Sequence, residues 1–116
     1  MIEIRQTFLA YIHFPPPSLV RDIHQETNGY MFIGHYEAES SVHALHQCLR
    51  EHQDQYQIHQ VGERWITNFS GSEIVESGRD VAILHDCEII TVPIDKALDD
   101  PDLHKAYTHS SLLATA

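Results

Sequence analysis

Nine carboxylates crowd one quarter of the chain: Glu73, Glu76, Asp80, Asp86, Glu88, Asp95, Asp99, Asp100 and Asp102 lie within residues 73–102, answered there only by Arg79 and Lys96. Clustered carboxylates of this kind act through their field: they attract a basic surface, speed its approach and reject acidic competitors. The nine are therefore expected to form the contact surface for a basic protein partner. The 116-residue chain shares the bias, with 17 acidic against 7 basic residues and a formal net charge of -10. Such a field repels the phosphate backbone that dominates nucleic-acid affinity, and it disfavours adsorption to anionic lipid. Direct nucleic-acid and membrane partners are not expected.

Ten histidines are the second departure from ordinary composition: His13, His24, His35, His43, His46, His52, His59, His85, His104 and His109. Histidine is the commonest metal ligand and titrates near neutral pH. The most metal-like set is Glu39, His43 and His46, which share a helix face if the helix begins early enough. Glu39, however, precedes the capping serines Ser40 and Ser41, and that face points away from the apolar stripe, where no surrounding groups would orient ligands. The set reads as a solvated face, and no metal or other cofactor is expected. His85-Asp86-Cys87 looks like a base, orienter and nucleophile only as letters. On one strand His85 and Cys87 project to one face and Asp86 to the other, and acidic surroundings raise a thiol pKa. No catalytic residue is nominated.

The remaining chemistry-bearing residues are assigned to structure. The glycines at 29, 34, 62, 71 and 78 stand singly, and neither a phosphate-cradling loop nor a dinucleotide fingerprint can be laid on them. Cys48 and Cys87 are read as small core residues, because two distant cysteines make neither a disulfide framework nor a zinc site. Trp65, Phe69, Tyr30, Tyr36 and Tyr56 are expected in the core or in cross-strand pairs, and Arg64 and Arg79 in surface ion pairs.

The elements that must position these residues follow from periodicity. Alternation from Ile2 to Phe14 predicts a long half-buried strand with Ile2, Ile4, Phe8, Ala10, Ile12 and Phe14 inward, stopped by Pro15-Pro16-Pro17. Ser18 is expected to cap a helix to about Thr27, ended by Asn28-Gly29. A buried strand over Tyr30–Tyr36 precedes a helix from Ser40 or Ser41 to about Gln53, whose inner face is Val42, Leu45, Cys48 and Leu49, joined by His52. Tyr56–Val61 and Arg64–Phe69 form a hairpin around Gly62-Glu63, and Ser70-Gly71-Ser72 and Ser77-Gly78-Arg79-Asp80 mark reversals. Val81 to Val92 is one strand or two folded at His85-Asp86, ended by Pro93. Asp100 caps a last helix beginning at Pro101, with Leu103, Ala106, Tyr107, Ser110, Leu113 and Ala114 inward.

This order predicts one compact α+β domain over residues 1–116, a mixed or mostly antiparallel sheet with about three helices on one face. No secretory leader and no apolar run of membrane-spanning length is visible, which gives a cytoplasmic expectation. The leading functional expectation is a small acidic binding module, inhibitor-like in the sense of immunity proteins, antitoxins and nucleic-acid mimics. The alternatives are a small enzyme or ligand-binding domain using histidine and cysteine in a helix-sheet pocket, and an accessory subunit of a larger complex.

Overall fold

The computed structural model describes residues 4–14, 27–76 and 78–115, with side chains given as far as residue 109. The Pro15-Pro16-Pro17 connector and the helix expected from Ser18 lie outside the described residues, although Asn28 and Gly29 take the positive φ values, 53° and 86°, that the expected left-handed stop requires.

Among the described residues, two antiparallel sheets and three helices make the α+β fold that the element order predicts. Strands β1 (Gln6–His13), β2 (Tyr30–Ala38), β6 (Val81–Ile83) and β7 (Glu88–Pro93) form the larger sheet in the order β2-β1-β7-β6. Strands β3 (Ile58–Val61), β4 (Arg64–Thr67) and β5 (Glu73–Val75) form the smaller one. The hairpin between β3 and β4 turns at Gly62-Glu63, where Gly62 has φ 64°, the positive value that a two-residue hairpin loop with glycine first demands. Val81 to Val92 resolves into two strands, because Leu84 N–H closes onto the Cys87 carbonyl at 2.9 Å and puts His85 and Asp86 in the turn.

Helix α1 (Ser41–Glu51) starts where the sequence places it: the Ser40 hydroxyl accepts the His43 N–H at 3.2 Å. Its inner face is Ala44, Leu45, Cys48 and Leu49, while Val42 is only half-buried. Helix α2 (Ile94–Asp99) is a short element that the sequence pattern did not reveal, and helix α3 (Pro101–Thr115) follows at once. Asp100 caps α3 by accepting the Asp102 and Leu103 N–H groups at 3.0 and 3.2 Å, with Pro101 in the first helical position, where its missing N–H costs nothing.

The position of β1 corrects the expectation of a half-buried strand with helices on one face. Phe8, Ala10 and Ile12 point to α1 and the small sheet, whereas Leu9 and Tyr11 point to α2 and α3, and all five are buried. The reason lies in the layers: β2 and β7 satisfy the two edges of β1, while α1 and the small sheet cover one of its faces and α2 and α3 the other. Ile4, expected inward, precedes the strand and is 73 % exposed. A bulge in β2 serves this two-sided arrangement. Ala10 faces Gly34 and Tyr11 faces Phe32, which leaves Ile33 as the extra residue, packed on the α1 side while Phe32 packs on the other. Gly34 is required there, since a Cβ would meet the Tyr36 hydroxyl at 3.0 Å. The Thr91 hydroxyl, donating to the Ser41 carbonyl at 2.6 Å, ties β7 to the start of α1.

Candidate functional site

The fold divides the nine carboxylates into two groups. Glu73, Glu76 and Asp80 lie at β5 and in the segment after it, each exposed and engaged: Glu73 with Arg64 at 3.1 Å, Glu76 with Arg79 at 3.5 Å, and Asp80 accepting from the Ser41 hydroxyl at 3.3 Å. Arg64 and Arg79 are thus the surface ion pairs that their positions suggested. Asp86, Glu88, Asp95, Asp99, Asp100 and Asp102 belong to the β6–β7 turn, β7, α2 and the start of α3.

The Tyr30 hydroxyl is where part of the second group converges. Burial raises its pKa above the ordinary phenol value, and the charges of Asp100, Glu88 and Asp102 push it further. Carboxylates from β7 and from the start of α3 therefore act on one neighbourhood. His13 stacks on the Tyr30 ring, centroids 4.2 Å apart and planes 21° from parallel, and its Nδ1 lies 3.2 Å from a Glu88 carboxylate oxygen. Asn28 donates to Asp102 at 2.9 Å. Asp99 adjoins this cluster, and exposed Asp95 stands one helical turn before it on α2, with Leu98, 41 % exposed, between them. Asp86 sits two residues ahead of Glu88.

His85, Asp86 and Cys87 do not lie on one strand, as the alternation argument assumed, but at a turn. The Cys87 thiol is pushed up to about 11, by burial first and then by Asp86, so it is poorly suited to act as a nucleophile. Cys48 is fully buried on the inner side of α1, and burial likewise pushes its thiol up to about 11. Of the aromatic residues, Trp65 and Tyr36 are core residues as expected, whereas Phe69 falls beyond β4 and is 84 % exposed.

The set Glu39, His43 and His46 is separated by where α1 begins. Helix α1 starts at Ser41, so Glu39 stands outside it and reaches only His43, at 3.8 Å. His46 turns elsewhere: the Trp65 indole N–H donates to its Nδ1 at 3.0 Å. Among the described residues no group of three metal-ligating side chains gathers.

That His46–Trp65 bond belongs to a feature with no signature in sequence spacing. A groove of about 320 Å³ runs between the outer side of α1 and the β3–β4 hairpin, lined by Val42, His43, His46, Arg50, Gln60, Glu63 and Gly78. A second hollow of about 250 Å³ adjoins it, sharing His43 and Arg50 and adding Arg5 and Gln47. Burial, Arg50 and His43, in that order, hold the His46 pKa below its ordinary value, and Glu63 opposes them. His46 is neutral at neutral pH, and Arg50 is the fixed positive charge of the groove lining, with Glu63 its carboxylate.

No family model matches the chain, and no significant match is found among curated proteins or solved structures. No helix among the described residues is long and apolar enough to cross a membrane.

Proposed function

We propose that the protein is a small binding module that docks an acidic face on a basic protein, in the manner of an inhibitor of the immunity-protein, antitoxin or nucleic-acid-mimic kind. The observation that supports this is the convergence of Glu88, Asp100 and Asp102 on Tyr30 from β7 and the start of α3, with Asp95 and Asp99 exposed on the adjoining α2. Opposed fields steer encounter, and half-exposed Tyr30, together with exposed Leu98 on α2, offers the aromatic and apolar contact from which interfaces draw much of their affinity. The docking face on this reading is Asp86, Glu88, Asp95, Asp99, Asp100 and Asp102. Glu73, Glu76 and Asp80 contribute to the overall field only.

The test is capture of the partner from the native source at low and high salt, followed by association rates for two variants of equal charge change. Replacing Asp99, Asp100 and Asp102 by Asn should slow association by about tenfold or more, since steering charges act mainly on the on-rate. Asn at position 100 keeps a capping side chain, so α3 stays in place. Replacing Glu73, Glu76 and Asp80 by their amides should change the rate far less. An acidic partner, or a rate indifferent to salt, would overturn the proposal.

A further inference from the structure

The groove beside α1 has a chemistry opposite to that of the acidic face. His43, His46 and Arg50 occupy one side of α1 at helical spacing, and Gln60 on β3 faces them across the groove. Trp65 decides what His46 offers. An indole nitrogen can only donate, so the Nδ1 that receives it carries no proton, and neutral His46 holds its proton on Nε2, at the other edge of the ring. Fully buried Trp65 takes Nδ1, which leaves the Nε2–H as the donor that His46 can offer to the groove it lines. Arg50, exposed and always charged, adds a planar fork of donors one turn further along.

We infer that this groove binds the phosphate group of a small molecule, with the Arg50 guanidinium and the His46 Nε2–H as its principal donors. The arrangement of donors selects the anion: the His46 Nε2–H, the Arg50 fork and the Gln60 amide belong to side chains on two walls of the groove, and the tetrahedrally spread terminal oxygens of a phosphate match them better than the two coplanar oxygens of a carboxylate. A metal cation does not fit, because Trp65 occupies the unprotonated nitrogen of His46 and Arg50 repels positive charge. The volume of about 320 Å³ lies at the small end of ligand sites, which suits inorganic phosphate or a short phosphate monoester. Two carboxylates border the region. Glu39 is paired with His43 at 3.8 Å, while exposed Glu63 in the hairpin turn can accept a hydroxyl from the organic part of an ester.

The chain has a single tryptophan, so the indole N–H of Trp65 gives one resolved nuclear-resonance signal that reports directly on His46. That signal should be followed while inorganic phosphate, glycerol 3-phosphate and acetate are titrated separately at constant ionic strength. Phosphate and glycerol 3-phosphate should each shift it saturably, and acetate should not. Arg50→Gln, an exposed change that leaves the core intact, should weaken phosphate binding by about tenfold or more, the loss expected of a charge-assisted hydrogen bond. Lys105→Gln, which removes the same charge from α3 on the other side of the sheet, should leave it unchanged. Glu63→Gln should reduce the preference for the ester over inorganic phosphate if an ester is the natural ligand. A linear, non-saturating response, an equal response to acetate, or equal effects of Arg50→Gln and Lys105→Gln would overturn the inference.

Discussion

On one side of β1, Phe8, Ala10 and Ile12 meet Leu45, Leu49, Trp65 and Ile89 in an apolar cluster closed by α1 and the small sheet. On the other side, Leu9 and Tyr11 meet a smaller set that carries a run of touching rings: Tyr11 lies edge-on to Tyr30 and Phe32, and Phe32 edge-on to His35 and Tyr107. The rings carry polar tips that find partners at the border of the cluster, Tyr11 donating to the Leu103 carbonyl at 3.0 Å and His35 bonding the Tyr107 hydroxyl at 3.2 Å. Large aliphatic residues can be covered only by more apolar surface, whereas tyrosines can be covered on one edge and still face a charged rim. The α1 side is therefore suited to holding the fold, and the α2–α3 side to carrying carboxylates close above a packed layer.

The comparison breaks first if either side proves open. Phe8→Asp and Leu9→Asp should both abolish folding, because each buries an unpaired charge, while Thr7→Asp, half-exposed, should be mild. Circular dichroism of the three variants checks this, and a folded Leu9→Asp protein would refute the two-sided burial of β1. Next in size, Leu45→Ala should cost about 3–5 kcal/mol and Leu103→Ala about 2–3 kcal/mol in urea unfolding, since Leu45 is fully buried in the larger cluster and Leu103 begins a helix at the edge of the smaller. Equal costs would remove the distinction between the sides.

Polar tips give smaller effects. Tyr11→Phe should destabilise by about 1 kcal/mol, the typical net value of a buried hydrogen bond, and Tyr107→Phe, whose bond is exposed, by less than about 0.5 kcal/mol. The smallest effect is the pH dependence contributed by His46. Its folded pKa is depressed, so just below the ordinary value of 6.5 the unfolded chain binds more protons than the folded one. This contribution to stability is fully present above that value and is lost as pH falls through the folded pKa. His46→Gln, which retains an acceptor for Trp65, should narrow the difference between urea midpoints measured at about pH 7.5 and 5.5.

Features set by neighbours in sequence were readable in advance. Ser40 as a cap, Asp100-Pro101 as a helix start, Gly62-Glu63 as a hairpin loop and Leu45, Cys48 and Leu49 as an inner face all depend on residues within one or two turns of one another. What could not be read depends on contacts made across the chain. Alternation in β1 is the same whether one face is covered or two, and only the packing of α2 and α3 on the second face makes Leu9 and Tyr11 core residues. Acidity shows an excess of carboxylates in residues 73–102, but the division of the nine into two groups follows from where β5 and α2 are carried by the sheets. His46 was assigned to a solvated helix face because the residue that orients it, Trp65, lies 19 positions away on another element.

The pairing of β1 with β7 also bears on the order in which the molecule can assemble. Phe8 is partnered by Pro93 and His13 by Glu88, so β1 cannot obtain its second neighbour until the chain has been made through β7. Up to that moment β1 can pair only with β2, and one of its edges is unmet while its Leu9 and Tyr11 face awaits α2 and α3, which come later still. At ~5–20 residues per second the interval lasts seconds, long enough for an unpaired edge to find the wrong strand. Slow synthesis, or truncation before residue 88, should therefore be far more harmful to solubility than the surface of the finished protein suggests.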